Sequence, residues 1–168
     1  MTLMSLRARL PLVAALVAAL MFAAPAGAQN DDYAEAQKLF RAGQHAQALE
    51  RVDNFLKGNA KDARARFLKG LIFTEQNKTA DAIKVFTSLT EDYPELPEPY
   101  NNLAVLYAQQ GQYDKARNAL ELSIRTHPSY ATAHENLGDI HAKMASQAYD
   151  KALQLDKANT GAQTKLGL

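Results

Sequence analysis

The chain has 168 residues, no cysteine, and 19 basic against 18 acidic side chains, which gives a formal charge of +1. This balance argues against a strongly basic, nucleic-acid-binding protein, and the length suits one compact unit or one short repeat array. Without cysteine, the fold must depend on packing rather than on disulfide bonds.

The first 28 residues have the organisation of a cleaved signal peptide. Arg7 and Arg9 form a charged start, an apolar run covers residues 10–24, and the A-x-A cleavage signal AGA follows at residues 26–28. The apolar run is about 15 residues long, shorter than the roughly 20 that span a bilayer, which disfavours a membrane anchor. We therefore expect cleavage after Ala28 and a mature chain in the periplasm or outside the cell.

Several residue types recur with a period of 34 residues, which indicates an internal repeat. The matching sets are Ala36, Gly70, Ala104 and Gly138; Leu39, Phe73, Tyr107 and His141; Gly43, Asn77 and Gly111; Ala48, Ala82 and Ala116; and Pro94 and Pro128. Because five registers share one period, the repeat determines how the rest of the sequence is interpreted.

Each period predicts a hairpin of two helices. In the third period, apolar residues from Tyr100 to Tyr107 recur at helical spacing, and Gly111 follows where a turn needs a positive φ. Asn77 occupies this turn position one period earlier, and Asn also visits the left-handed region. A second amphipathic run follows the turn and ends at Pro128, which cannot continue a helix.

The pattern "YNNLAVLY…G…A…P" within residues 100–128 resembles the tetratricopeptide repeat family. The resemblance covers nearly all of the chain after residue 28, although Asp32, Glu35 and Ala60 depart from the family pattern in the first repeat. It implies an all-α solenoid, a right-handed superhelix of stacked hairpins whose first helices line the concave side. The implied repeats are residues 29–62, 63–96, 97–130 and a degenerate fourth repeat at 131–159, with the start of a fifth repeat or a tail at 160–168.

The same resemblance implies a partner-binding surface, because ligands of this family lie against the first helices. Carried over by register, the implied residues are Tyr33, Gln37, Arg41, Arg64, Phe67, Leu71, Thr74, Asn101, Asn102, Val105, Gln109, Glu135, Asn136, Asp139 and Lys143. Their mixture of apolar groups, amides and charges suits an extended peptide. The alternative is that many of them only face solvent, or that Phe67 and Leu71 pack between repeats.

The stretch "HENLGDIH" at residues 134–141 is close to a zinc-protease motif but does not meet its requirements. That motif needs a second histidine at position 138, which is Gly138, and His134 and His141 are separated by about 10 Å along a helix. By register both histidines replace tyrosines of the third repeat, so we expect them to pack in the core. No catalytic or nucleotide-binding motif occurs, and we expect no enzyme activity, metal or cofactor.

The fourth repeat is short. An alignment that removes the turn preserves a 14-residue step from Ala152 to Leu166, as from Ser123 to Leu137, whereas the alternative alignment truncates the second helix. An unbroken helical stripe runs through the junction and consists of Leu137, His141, Met144, Ala148, Ala152 and Leu155. We therefore predict one continuous helix from about Thr132 to Asp156. Its second half would project from the stack, unless the tail folds back on it.

Three functions fit these features. The favoured one is an adaptor in the cell envelope that binds a protein or peptide in its concave groove, with no nucleic acid as partner. The second is a self-assembling homo-oligomer in which residues 145–158 of one copy pack into another. The third is a non-catalytic arm of a cell-wall enzyme.

Overall fold

The computed structural model describes residues 26–167, with side chains from residue 32 onward, and the described part contains eight α-helices and no strand. Residues 1–25, which hold most of the predicted signal peptide, lie outside it. The helices are α1 (Ala26–Arg41), α2 (His45–Gly58), α3 (Ala63–Glu75), α4 (Thr79–Asp92), α5 (Pro97–Gln109), α6 (Tyr113–Thr126), α7 (Ala131–Leu155) and α8 (Thr160–Leu166). None of these helices has the length and apolar character needed to cross a membrane.

The first six helices form the three predicted hairpins, α1–α2, α3–α4 and α5–α6, and successive hairpins stack on one another. This confirms the all-α solenoid. The buried residues form one cluster around α1 to α3 and another from α4 to α7, so the core runs along the stack. Ser123 contributes a buried polar link within the third hairpin, since its hydroxyl donates to the carbonyl of Pro97 at 2.8 Å.

All three hairpin turns have the same geometry. Gly43, Asn77 and Gly111 have φ of 73°, 57° and 71°, in the left-handed region that the 34-residue register predicts for these positions. In the third turn the N–H of Gln112 reaches back to the carbonyl of Tyr107 at 2.9 Å, and the other two turns have equivalent bonds. Each first helix therefore ends with its last carbonyls satisfied.

The long seventh helix confirms the prediction for the fourth repeat. It is continuous over 25 residues and has no turn at Ala145, which lies 34 residues after Gly111. Its first half packs on α5 and α6, where Ala133 and Ile140 are buried. The chain lacks the turn residues that would reverse its direction at this register, so the helix continues without a break.

The tail folds back on the second half of α7, the second of the two expected arrangements. Helix α8 packs against α7, and the Lys165 ammonium lies 5.2 Å from the centre of the Tyr149 ring. Asn159 caps α8 by accepting from the N–H of Ala162, as Asp62 caps α3 by accepting from Ala65. However, α8 does not cover the whole of the projecting half, and Leu155 is 79% exposed.

Candidate functional site

Two apolar cavities open along the first helices. The cavity between α5 and α7, here called the C-terminal cavity, has a volume of about 310 Å³. Its lining residues are Ala104, Val105, Ala108, Gln109, Tyr113, Leu120, Asn136, Asp139, Ile140 and Lys143. Apolar side chains form its floor, while amides and charges lie at its edge, an arrangement that suits a bound side chain with a polar backbone beside it.

The second cavity, here called the N-terminal cavity, lies between the middle of α1 and the starts of α3 and α5 and has a volume of about 320 Å³. It is lined by Tyr33, Ala63, Arg64, Phe67, Leu89, Leu96, Glu98 and Pro99. Phe67 also packs against Phe86, with ring centres 5.5 Å apart, so this wall of the cavity is anchored in the core.

Polar contacts join successive first helices beside the cavities. The Asn136 amide of α7 donates to the Asn101 amide oxygen of α5 at 2.8 Å, and Asn101 is buried. At the other end, the Arg64 guanidinium lies 5.5 Å from the centre of the Tyr33 ring, whose hydroxyl accepts from Gln37. These contacts hold the groove-lining side chains in defined positions before any ligand binds.

Arg64, Asp62 and Tyr33, beside the N-terminal cavity, influence one another's pKa. Partial burial would raise the pKa of Asp62, but hydrogen bonds from Arg64 and from the Ala65 N–H outweigh this effect and lower the pKa. Burial raises the pKa of Tyr33, with Arg64 opposing the shift and Asp62 adding to it. Arg64 therefore remains charged at the edge of the cavity while its ion pair with Asp62, 3.0 Å long, orients the guanidinium.

The predicted partner-binding residues fall into two sets. Those that line a cavity are Tyr33, Arg64, Phe67, Val105, Gln109, Asn136, Asp139 and Lys143. Those that line neither cavity are Gln37, Arg41, Leu71, Thr74, Asn101, Asn102 and Glu135. Leu71 packs against the core, and Thr74 and Asn102 donate to carbonyls of their own helices. For the residues of both sets, a role in partner binding stays a prediction.

Register reasoning missed Glu98 and Pro99, which line the N-terminal cavity. A signal for Glu98 was present, because it lies 34 residues after Arg64 and so occupies the register already assigned to the groove in the second repeat. Pro99 is fully buried and carries no polar group that would single it out. The Asn101–Asn136 bond was also missed, since it joins positions 35 residues apart rather than equivalent ones.

The expectation that His134 and His141 pack in the core is wrong. Both are exposed, and His134 makes a 2.9 Å hydrogen bond with the Pro128 carbonyl. Tyr107, the counterpart of His141 in the third hairpin, packs against the core, whereas α7 continues without a turn and no second helix of its own returns over this face. Within residues 26–167, no three His, Asp or Glu side chains come together in a metal-binding arrangement.

The stacked hairpins with cavities along their first helices define an α-solenoid repeat protein. Two family models, each described as "Tetratricopeptide repeat", match residues 33–97 and 73–137, and the chain belongs to the tetratricopeptide repeat family. Proteins of this family are generally non-catalytic interaction modules.

Named relatives share only part of their length with this chain. A chloroplastic protein of Arabidopsis thaliana, "Tetratricopeptide repeat domain-containing protein PYG7", is 33% identical over 73 residues, which make up 40% of this chain and 24% of the relative. The human "Tetratricopeptide repeat protein 16" is 24% identical over 75% of this chain and 16% of its own length. The chain thus spans a quarter or less of these relatives.

Solved structures share the fold. "YrrB: a TPR protein with an unusual peptide-binding site" has a TM-score of 0.60 at 24% identity, over 64% of this chain and 55% of that one. The Yersinia enterocolitica type III secretion chaperone SycD, in complex with a peptide of the translocator YopD, has a TM-score of 0.65 at 15% identity. That match covers 70% of this chain and 95% of SycD.

Proposed function

We propose that this protein is a non-catalytic adaptor of the cell envelope that binds an extended segment of another protein along its first helices. The observation that carries the proposal is the pair of apolar cavities on the first-helix side, each with charged and polar groups at its edge. Extended peptides bury alternate side chains in pockets of this kind and bond to polar groups through their backbone.

Val105 supports the C-terminal cavity as a binding surface. It is 37% exposed, one of three large apolar side chains in the described part that remain open to this degree, and it lines the cavity beside Gln109. Asn136 and Lys143 supply hydrogen-bond donors at the same cavity. A ligand side chain could therefore cover apolar surface here without leaving its own backbone groups unsatisfied.

The comparisons support a binding role of this type. YrrB and SycD, which share the fold, are described with a peptide-binding site and with a bound peptide. The ligand class that these two proteins suggest for the cavities of this chain is an unfolded or extended protein segment.

The cellular location rests on the N-terminal sequence. The charged start, the apolar run and the AGA signal are typical of a secretory signal peptide. Cell fractionation followed by N-terminal sequencing tests this part, and the expected result is an envelope or secreted protein that begins at Gln29. A cytoplasmic protein that retains residues 1–28 would contradict the location without affecting the binding proposal.

The binding proposal is tested with peptides selected on the purified mature protein from a random display library. We expect Val105→Glu and Arg64→Glu each to lower the affinity for the selected peptides by about 10-fold or more, since each substitution changes a wall or an edge of a cavity. Leu122→Glu and Lys84→Glu are matched controls, because both residues are exposed on second helices and line neither cavity. Equal losses in the controls, or no loss in the cavity variants, would contradict the proposal.

A further inference from the structure

Helix α7 contains the residues of both a first helix and a second helix, but no turn between them allows the two to pack together as a hairpin. When a five-residue gap is placed after Met144, the second half of α7 aligns with α6, so that Ala145, Ala148, Tyr149 and Ala152 match Ala116, Ala119, Leu120 and Ser123. The four residues of α6 are 0%, 7%, 0% and 0% exposed. None of their counterparts in α7 is buried: Ala148 is exposed, and the other three are only partly covered.

The first half of α7 is uncovered on the face that packs against a second helix in the other repeats. Gly138 shares its register with Ala36, Gly70 and Ala104, which are all buried in the hairpins. A Cβ at Gly70 would meet the Phe86 ring at 2.6 Å, whereas a Cβ at Gly138 would meet nothing within 4 Å. The surface that receives a second helix in the other repeats is therefore formed in α7 but unoccupied.

The two open faces fit each other in size. Gly70 contacts the large ring of Phe86, while in the neighbouring repeats Ala36 and Ala104 stand at the register of Gly70, and the smaller Val52 and Leu120 stand at the register of Phe86. With the five-residue gap, the side chain that matches Phe86 in the fourth repeat is Tyr149, so a ring again corresponds to a glycine. The segment that best fills the space over Gly138 is thus present in this chain itself.

The two halves cannot meet within one molecule. Helix α7 is continuous over 25 residues, about 38 Å at 1.5 Å per residue, so its two halves extend in opposite directions from Met144 along one helix. The fold-back of α8 does not satisfy the open faces either. In the array a second helix packs between its own first helix and the next first helix, as α4 does between α3 and α5, and α8 takes only the place of the next first helix.

We propose that α7 is the interface with a second copy of this chain, in which residues 145–155 of each copy pack as the missing second helix on residues 131–144 of the other. The two α7 helices run antiparallel about a two-fold axis near Met144. Tyr149 of each copy covers Gly138 of the other, and His134 and His141 become partly buried beside it, as Tyr100 and Tyr107 are in the third hairpin. The pairing is isologous and closed, so it yields a dimer rather than a fibre.

The dimer proposal is independent of peptide binding and is tested by sedimentation equilibrium of the mature chain over a wide range of concentrations. We expect a monomer–dimer equilibrium for the natural sequence. Gly138→Arg should leave the monomer folded, because the space around Gly138 is open there, and should weaken the dimer by about 100-fold or more, because two-fold symmetry introduces the clash twice.

Gln154→Arg is the matched control. Gln154 is exposed and aligns with Arg125, an exposed residue of α6, so it should stay exposed in the dimer and leave the equilibrium unchanged. A natural chain that is monomeric at all concentrations, or a Gly138→Arg variant that dimerises as the natural chain does, would overturn the proposal.

An insertion variant tests the mechanism by a gain of structure. Inserting Gly-Gln-Tyr-Asp-Lys, copied from residues 111–115, between Met144 and Ala145 restores a full 34-residue repeat with its own turn. The fourth hairpin should then close within one molecule, so we expect a monomer with undiminished helical circular dichroism per residue. A folded insertion variant that dimerises with the same affinity as the natural chain would show that α7 does not exchange in this way.

Discussion

The ring of Phe86 occupies the space that a side chain at Gly70 would need. Two ring carbons lie 2.6 Å from the position of a Cβ at Gly70, and Phe86 is fully buried. Helices α3 and α4 therefore approach closely at this point, and the buried ring, which also packs against Phe67, would have to shift to admit a Cβ. The hairpin of the second repeat depends on the absence of a side chain here.

Gly70→Ala and Gly138→Ala should change stability in opposite directions. Both glycines lie in first helices at the same register, and alanine favours a helix interior by about 0.8–1.0 kcal/mol. At Gly70 the clash with Phe86 should outweigh this gain, since overpacking costs about 1–3 kcal/mol. At Gly138 no clash opposes the gain. Urea unfolding of both variants measures the difference, and a stabilised Gly70→Ala variant would contradict the close packing.

The cap of α3 provides a pH-dependent prediction. Asp62 accepts from the Ala65 N–H at 3.0 Å and from Arg64, and these bonds hold its pKa below the ordinary value of about 3.9. Because the pKa is lower in the folded state than in the unfolded chain, the carboxylate stabilises the fold above about pH 4 and loses this contribution as the pH falls through the folded-state pKa.

Asp62→Ala should therefore lower the free energy of unfolding by about 1 kcal/mol at pH 7. The loss should be smaller in acid, where the natural protein no longer has the contribution of the charge. Asp62→Asn is the control, since asparagine caps helices about as well without a carboxylate: at pH 7 it should lose only the contribution of the charge, and in acid it should be about as stable as the natural protein. Thermal unfolding between pH 3 and pH 7 makes the comparison. A cost of Asp62→Ala that is the same at both ends of this range would argue against a contribution from the charge.

The turn at Asn77 provides a test of backbone conformation. Asn77 has φ of 57° and is the only non-glycine residue with positive φ in the described part of the chain. Asn77→Ala should destabilise the protein by about 1 kcal/mol, because alanine tolerates the left-handed region poorly. Asn77→Gly should cause no loss, since glycine already occupies the equivalent positions 43 and 111. Equal losses in the two variants would show that the asparagine side chain, rather than φ, is what the turn requires.

The candidate site was predictable in part. Tyr33, Arg64 and Val105, which the family resemblance and the register together assigned to the first-helix surface, line the cavities, because positions that recur every 34 residues occupy the same place in every hairpin. Leu71 lines neither cavity and packs partly against the core, since a position that faces the groove in one repeat can be covered by the neighbouring helices in another, and its role in binding stays a prediction. Register also cannot show a bond such as Asn101–Asn136, which depends on the offset between two stacked helices.

The sequence by itself determined the hairpins, the positive-φ turns and the unbroken seventh helix. These features depend on interactions within about one helical turn and on a short deletion, and both can be recognised along the chain. Only the tertiary structure decided that His134 and His141 lie exposed, that α8 returns to α7, and that Leu155 remains uncovered. The reason is physical: burial depends on which distant helix arrives over a face, and after Met144 no turn brings one back over the first half of α7.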